Sequence, residues 1–224
     1  RGGRLVSKLC RPEDWQKCTE VFAPLESVAV ISGFYILAAG VPETDGPGGA
    51  VMIARAYLKS GRRSEIWTDE LCLPVIRAAA EAVGYPGELV RLAPDSLDEN
   101  APAGLIFTER PGHAADGKYY NFRKKDISAW TPPLDMLAFE ARKRPIPTLG
   151  IGDGGNEVGM GVYYEALREL LPDYADCLSV VCTDCALAAD VSNWGAYALT
   201  AALSYAWGNW CGPEAEEELD MLNA

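Results

Sequence analysis

The sequence predicts an α/β fold: a mostly parallel sheet with helices on both faces and an active site at the carboxyl ends of the strands. Three observations lead there. Short apolar runs alternate with segments of helical periodicity along most of the chain, which is the pattern of repeated strand–helix–strand units. Glycines and charged residues bracket those runs where turns are needed. No internal repeat and no linker-like stretch interrupts them, so residues 1–224 are expected to form one domain.

The elements follow in order. SVAVISGF (27–34) reads as a buried strand. GGAVMIARAYLKSG (48–61) reads as a helix with Ala50, Val51, Ala54, Tyr57 and Leu58 on one face and Gly61 as terminator. Lys59, Arg62 and Arg63 fall at its negative end. RSEIWT (63–68) is a second strand, and Asp69 and Glu70 open a helix that turns Cys72, Val75, Ile76, Ala79 and Val83 inward and stops at Gly84. GELVRLA (87–93) and AGLIFTE (103–109) read as strands. RPGHAADGKYYNFRKKDIS (110–128) is too long for an ordinary connection, and its two tyrosines and phenylalanine argue for an ordered, functional loop. A short helix near 134–143 precedes a strand near 146–151; VYYEALRELL is helical, CLSVVCTD (177–184) is expected as the last strand, and a long helix is expected from about 186 to 207.

Composition narrows the chemistry. Thirty-two acids against twenty bases give a net charge of −12, with one histidine, His113. No basic stripe offsets that charge, so nucleic acid is not an expected partner. Acid excess suits a soluble surface and also cation binding. Seven cysteines, odd in number and irregular in spacing, fit a reducing compartment better than a disulfide framework. Cys182-Thr-Asp-Cys185 stands alone as a CxxC and reads as buried thiols at a strand end. The most apolar run, residues 185–207, contains Asp190, Ser192 and Asn193 and reads as a core helix, so no membrane span is expected. No targeting segment is visible, and the chain opens on Arg1 instead of Met, as an excised or processed piece would.

The acids cluster where ligands bind in open parallel sheets, beyond the carboxyl ends of the strands. Glu43 and Asp45 follow the first strand, Asp69 and Glu70 the second, Glu109 and then Asp116 the fourth, Asp153 and Glu157 the fifth, Asp184 the last. Each alone suits a turn or a helix start. Together at one edge they repel one another, and a hard divalent cation, Mg²⁺ or Mn²⁺, relieves that repulsion through oxygen ligands. Asp45, Asp69, Glu109, Asp116 and Asp153 are the expected ligands. TLGIGDGGNEVGMG (148–161) adds six glycines around two acids. Gly152, Gly154 and Gly155 allow a sharp turn with backbone N–H groups free to meet a carboxylate or phosphate at a helix start. Gly159 and Gly161 allow that first turn to pack tightly on the sheet.

Alternatives fail on residues. GDGGNE does not fit G-x-G-x-x-G, and no GxxxxGK[ST] occurs, so no nucleotide cofactor is expected. GDGGNE looks like the acidic metal loop of haloacid-dehalogenase-type phosphatases, but ISGFYI stands where their DxD nucleophile belongs. A Ser-His-Asp triad would have to use His113, and no GxSxG accompanies it.

PETDGPGGA (42–50), WTDE (67–70), ERPGHAADGKYYNFRKKDIS (109–128), GIGDGGNEVGMG (150–161) and VSNWGAYAL (191–199) together resemble the D-glutamate cyclase family, the C-terminal domain of the vertebrate mitochondrial enzyme. The resemblance implies conversion of D-glutamate to 5-oxo-D-proline and water, hence a hydro-lyase acting on a small acidic amino acid. For that reaction Glu157 is the expected proton carrier, with Asp153 beside it. The substrate α-carboxylate is expected on the N–H groups of Gly154 and Gly155 or on Arg110 or Arg123, with Asn156 and Asn193 at the same edge. A cytoplasmic location is expected, with the mitochondrial matrix as alternative. Sheets of this kind commonly form homo-oligomers. The competing readings are a non-catalytic module binding a metal or an acidic amino acid and, behind it, a metal-dependent phosphatase.

Overall fold

Residues 5–224 are described by a computed structural model. In chain order its helices and strands are α1 (Pro12–Phe22), β1 (Ser27–Ser32), the short β2 (Tyr35–Ile36) and β3 (Val41–Pro42), α2 (Pro47–Lys59), β4 (Arg63–Thr68), α3 (Leu73–Ala82), β5 (Val90–Leu92), β6 (Gly104–Thr108), α4 (Met136–Arg142), β7 (Thr148–Gly152), α5 (Tyr164–Leu170), β8 (Cys185–Ala188), α6 (Ser192–Trp207) and α7 (Glu217–Asn223). Six strands form one sheet in the order β5-β4-β1-β6-β7-β8, every pair parallel; β2 and β3 form a separate antiparallel pair.

Covering both faces explains why the strands read as continuous apolar runs. Val28, Val30, Ile66, Ile106, Leu149 and Leu187 point to the face covered by α2, α3 and α6, with α1 and α7 completing the layer. Ala29, Ile31, Leu105 and Phe107 point to the other face, where Leu137, Ala138 and Ala141 of α4 close over them. Leu167 of α5 packs on Ala186 and Ala188 of β8 on that same face. The helix pair α2–α6 is the most extensive helix contact, and Asn193 and Ala196 of α6 lie against Gly49 of α2.

Five expectations need correction. The last strand is Cys185–Ala188, not 177–184, because the backbone around 179–181 bonds elsewhere: Ser179 N–H to Gly155 O, Val180 N–H to His113 O, and the N–H groups of Gly159 and Gly161 to Val181 O. Asp184 therefore precedes its strand, where its carboxylate accepts from Thr148 N–H and Oγ–H at 2.8 Å each, at the edge opposite the other acids. The final helix starts at Ser192, since 185–188 is occupied as strand. Only Val90–Leu92 of the 87–93 run is strand; Gly87–Leu89 is a 3₁₀ turn. On α3, Val75 is solvent-facing, while Cys72, Ile76, Ala79 and Val83 point inward as expected. Among the described residues no helix is long and apolar enough to cross a membrane.

Candidate functional site

From β1 the chain winds outward through β4 and β5, then returns to place β6 on the other side of β1 and winds outward again through β7 and β8. The reversal lies between β1 and β6, and the crevice beyond the carboxyl ends of two such strands is where open α/β sheets bind ligands. Ser32 and Thr108 end those strands in register, and Glu109 follows directly.

Glu109 is buried and adopts φ 46°, an uncommon left-handed conformation for a residue with a side chain. Its Oε2 accepts from Ser192 Oγ–H at 2.5 Å. Burial, and then the negative charges of Glu157, Asp153, Asp45 and Glu43, raise its pKa well above the ordinary carboxylate value. Asp45, Glu109 and Asp153 each present a carboxylate oxygen within 4.8 Å of the others. That span is about twice a metal–oxygen bond of roughly 2.0–2.6 Å, so one hard cation fits between all three. The hydroxyls of Ser32 and Thr108, both fully buried, have no hydrogen-bond partner among the described residues and add neutral oxygens at the same strand ends.

Two helix starts hold this cluster by exchanging caps. The Asp45 carboxylate accepts from the backbone N–H groups of Ser192 (3.0 Å) and Asn193 (2.7 Å), the first residues of α6. In return Asn193 Oδ1 accepts from Gly46 N–H (2.9 Å) and Gly49 N–H (2.7 Å) at the start of α2, and its Nδ2 donates to Thr44 O (3.0 Å). Both helices thus satisfy donors that a helix start leaves unpaired. Gly46 is required between them: its φ is +97°, and a Cβ there would lie 2.5 Å from Glu109 Cβ.

The glycine-rich segment has a different use from the expected one. Gly154 N–H donates to Glu157 Oε1 (2.9 Å) and Gly155 N–H to Oε2 (2.7 Å), so these donors orient a carboxylate of the chain itself. The expectation that they receive the substrate carboxylate is thereby corrected for this conformation. Gly159, at φ +97°, lets the segment cross β7, because a Cβ there would stand 2.6 Å from Gly150 Cα.

A cleft of 190 Å³ opens beside the acids, lined by Phe34, Glu43, Glu109, Phe122, Arg123, Asn156 and Glu157 among others. Two larger cavities lie elsewhere: one of 520 Å³ over the β4–β5 side of the sheet and one of 290 Å³ between α2, α3, α6 and α7. None of the three cluster acids lines either of these, whereas Glu109 lines the smaller cleft. The long loop supplies the cleft wall through Asn121, Phe122 and Arg123. Asp135, fully buried, anchors that loop by accepting from Tyr119 OH (2.5 Å) and His113 N–H (3.1 Å) and by bonding His113 Nδ1 (2.6 Å). Burial and that bond push the Tyr119 hydroxyl pKa up.

Of the remaining expected residues, Asp69 lies outside the three-acid cluster. It is ion-paired with Arg110 and accepts from Leu71 and Cys72 N–H at the approach to α3. Arg110 is likewise corrected: it is buried, and its guanidinium donates to Asp69, Gly33 O (3.0 Å) and Pro132 O (2.6 Å), which makes it an internal strut. Asp116 is exposed on the loop, bonded to Tyr120 OH at 2.6 Å. Asn193 works on two helix starts. Glu43, read from the sequence only as one of the strand-end acids, lines the cleft, and Ser192 carries a role that sequence reasoning did not assign.

A sequence profile described as D-glutamate cyclase-like, C-terminal, matches residues 1–224. The chain belongs to the D-glutamate cyclase family. It is 34% identical over 226 residues to the human protein named D-glutamate cyclase, mitochondrial, an alignment covering 90% of this chain and 36% of that protein. The chain therefore spans about a third of that relative's length. Within the family chain, the five segments that carry the resemblance are not scattered. PETDGPGGA holds Asp45 and the start of α2, ERPGHAADGKYYNFRKKDIS runs from Glu109 into the cleft wall, GIGDGGNEVGMG holds Asp153 and Glu157, and VSNWGAYAL opens α6. WTDE contributes the Asp69 strut beneath them.

Proposed function

We propose that this chain is a hydro-lyase that converts D-glutamate to 5-oxo-D-proline and water, assisted by a divalent cation, Mg²⁺ or Mn²⁺, held by Asp45, Glu109 and Asp153. The observation that carries the reading is the convergence of these three carboxylates at the topological switch point of a chain in the D-glutamate cyclase family. A cation bound there supplies Lewis-acid polarisation of the substrate γ-carboxylate.

The chain's own residues do the rest. Cyclisation forms a bond from the substrate nitrogen to its δ-carbon and breaks one C–O bond; the two protons lost by the ammonium leave on the departing oxygen as water. Glu157, fixed at the cleft wall by two backbone N–H groups, takes the first of those protons and returns it. Arg123, at the same cleft, pairs with the α-carboxylate, for which a planar guanidinium is well matched. Phe34, Ile36 and Phe122 give the cleft an apolar wall against which a compact, ring-like conformer folds, and that supplies the positioning the reaction requires. The human relative is named mitochondrial; for this chain the cytoplasm or the mitochondrial matrix is the proposed compartment.

The test is chiral mass spectrometry of D- and L-glutamate incubated with the protein and Mn²⁺, then with EDTA. Loss of the D form with 5-oxoproline appearing, abolished by EDTA, supports the reading. Binding of Mn²⁺ and glutamate without turnover overturns the enzyme reading in favour of a binding module.

A further inference from the structure

Asn156 is buried, its relative exposure 3%, and it lines the cleft beside Glu157 and Arg123. Its two amide atoms are treated unequally. Nδ2 donates to Tyr120 O at 2.8 Å, which fixes the orientation, because a flipped amide would set two acceptors against each other. Oδ1 is buried and has no hydrogen-bond donor among the described residues. The backbone is equally committed: Asn156 O accepts from Gly112 N–H at 2.9 Å, so the residue does not swing away. An oriented, buried acceptor without a donor, in the wall of a ligand cleft, is a position for a ligand N–H.

We infer that Asn156 Oδ1 receives the amino group of the substrate and is the specificity-determining contact for an α-amino dicarboxylic acid. The inference rests on the proposed function above, which supplies the other two contacts: the acid cluster end for the γ-carboxylate and Arg123 for the α-carboxylate. Three contacts arranged around one α-carbon distinguish its two enantiomers. The choice of an amide over another carboxylate has a chemical reason. A neutral oxygen accepts from an ammonium and from a neutral amine alike, so it holds the nitrogen in place without opposing the proton loss that makes it nucleophilic. A carboxylate at the same point would favour the charged ammonium.

The experiment compares D-glutamate with glutarate, which keeps both carboxylates and lacks the amine, on the Mn²⁺-loaded protein. Calorimetry gives both affinities for wild type, Asn156→Ala and Asn156→Asp, with thermal unfolding to establish that each variant is folded. Asn156→Ala is expected to weaken D-glutamate at least tenfold and leave glutarate within twofold. Asn156→Asp is expected to keep D-glutamate binding, lower kcat and move the acid limb of the kcat profile to higher pH. Equal weakening of both ligands assigns Asn156 a structural role and overturns the inference. No change in either shows that Oδ1 serves an internal partner and overturns it too. If Asn156→Ala does not fold, an unshifted pH profile in Asn156→Asp overturns the inference. Wild type that binds D-glutamate without turnover defeats the cyclase reading alone, and the two-ligand comparison still decides Asn156. Wild type that binds neither ligand defeats both.

Discussion

In the metal-free protein, replacing Glu109 by glutamine removes a titration and little else. The amide has nearly the shape of the protonated acid, and Ser192 Oγ, 2.5 Å from Oε2, can donate to an amide oxygen or accept from an amide nitrogen. In the unfolded chain Glu109 loses its proton near pH 4.3. In the folded, metal-free protein, burial and the charges of Glu157, Asp153, Asp45 and Glu43 keep the proton on well above that pH. Between the two values the native state holds one proton more than the unfolded state, so stability falls as pH rises. The slope is about 1.4 kcal/mol per pH unit for one proton. The stabilisation associated with this group is complete below the unfolded pKa and is lost as pH climbs to the folded one. For a chain of this size that is roughly 3–5 °C in Tm per pH unit. Urea unfolding followed by tryptophan fluorescence, from pH 5 to 8 in EDTA, measures it. The wild-type stability minus that of Glu109→Gln should decline as pH rises above the unfolded value, with at most the one-proton slope, until the folded group titrates. Saturating Mn²⁺ should flatten the wild-type profile, because cation binding displaces the proton. A difference that stays constant with pH refutes the assignment of a retained proton to Glu109.

Other outcomes separate struts from site. Asp69→Ala strands the buried Arg110 charge and should cost about 3–5 kcal/mol while leaving Mn²⁺ affinity, measured by calorimetry, nearly unchanged. Asp153→Ala should do the reverse, with metal affinity falling tenfold or more and urea stability moving by less than about 1 kcal/mol. Asn193→Ala removes the side-chain acceptor of Gly49 N–H and leaves Gly46 N–H only Asp45 Oδ1, at 3.0 Å, and should cost about 1–3 kcal/mol; because the same loop carries Asp45, it should also weaken Mn²⁺ binding.

The central strands and α2 were legible because the apolar runs SVAVISGF and RSEIWT are bounded by turn residues, although the first was read two residues past the observed end at Ser32, and because Ala50, Val51, Ala54 and Tyr57 repeat at helical spacing. The edge that holds the acids was legible for a topological reason: a parallel sheet collects the carboxyl ends of its strands on one side, so Asp45, Glu109 and Asp153 converge although far apart in sequence. The rest depended on pairings that no local pattern encodes. Asp69 turns to Arg110, a partner 41 residues away, and the N–H groups of Gly154 and Gly155 go to Glu157 a few residues on. The run CALAAD looks helical by composition, and placing the helix start at 186 hid Ser192 inside it. With the strand at Cys185–Ala188, Ser192 becomes the first residue of α6 and reaches Glu109.

The most direct measurement titrates metal-stripped protein with Mn²⁺ while following 5-oxoproline formed from D-glutamate. Turnover should rise in proportion to bound ion, level off at about one ion per chain as one three-carboxylate site requires, and be lost in Asp153→Ala. Turnover that ignores the ion, or an ion that binds at that stoichiometry without any turnover, would contradict a cation-assisted cyclase.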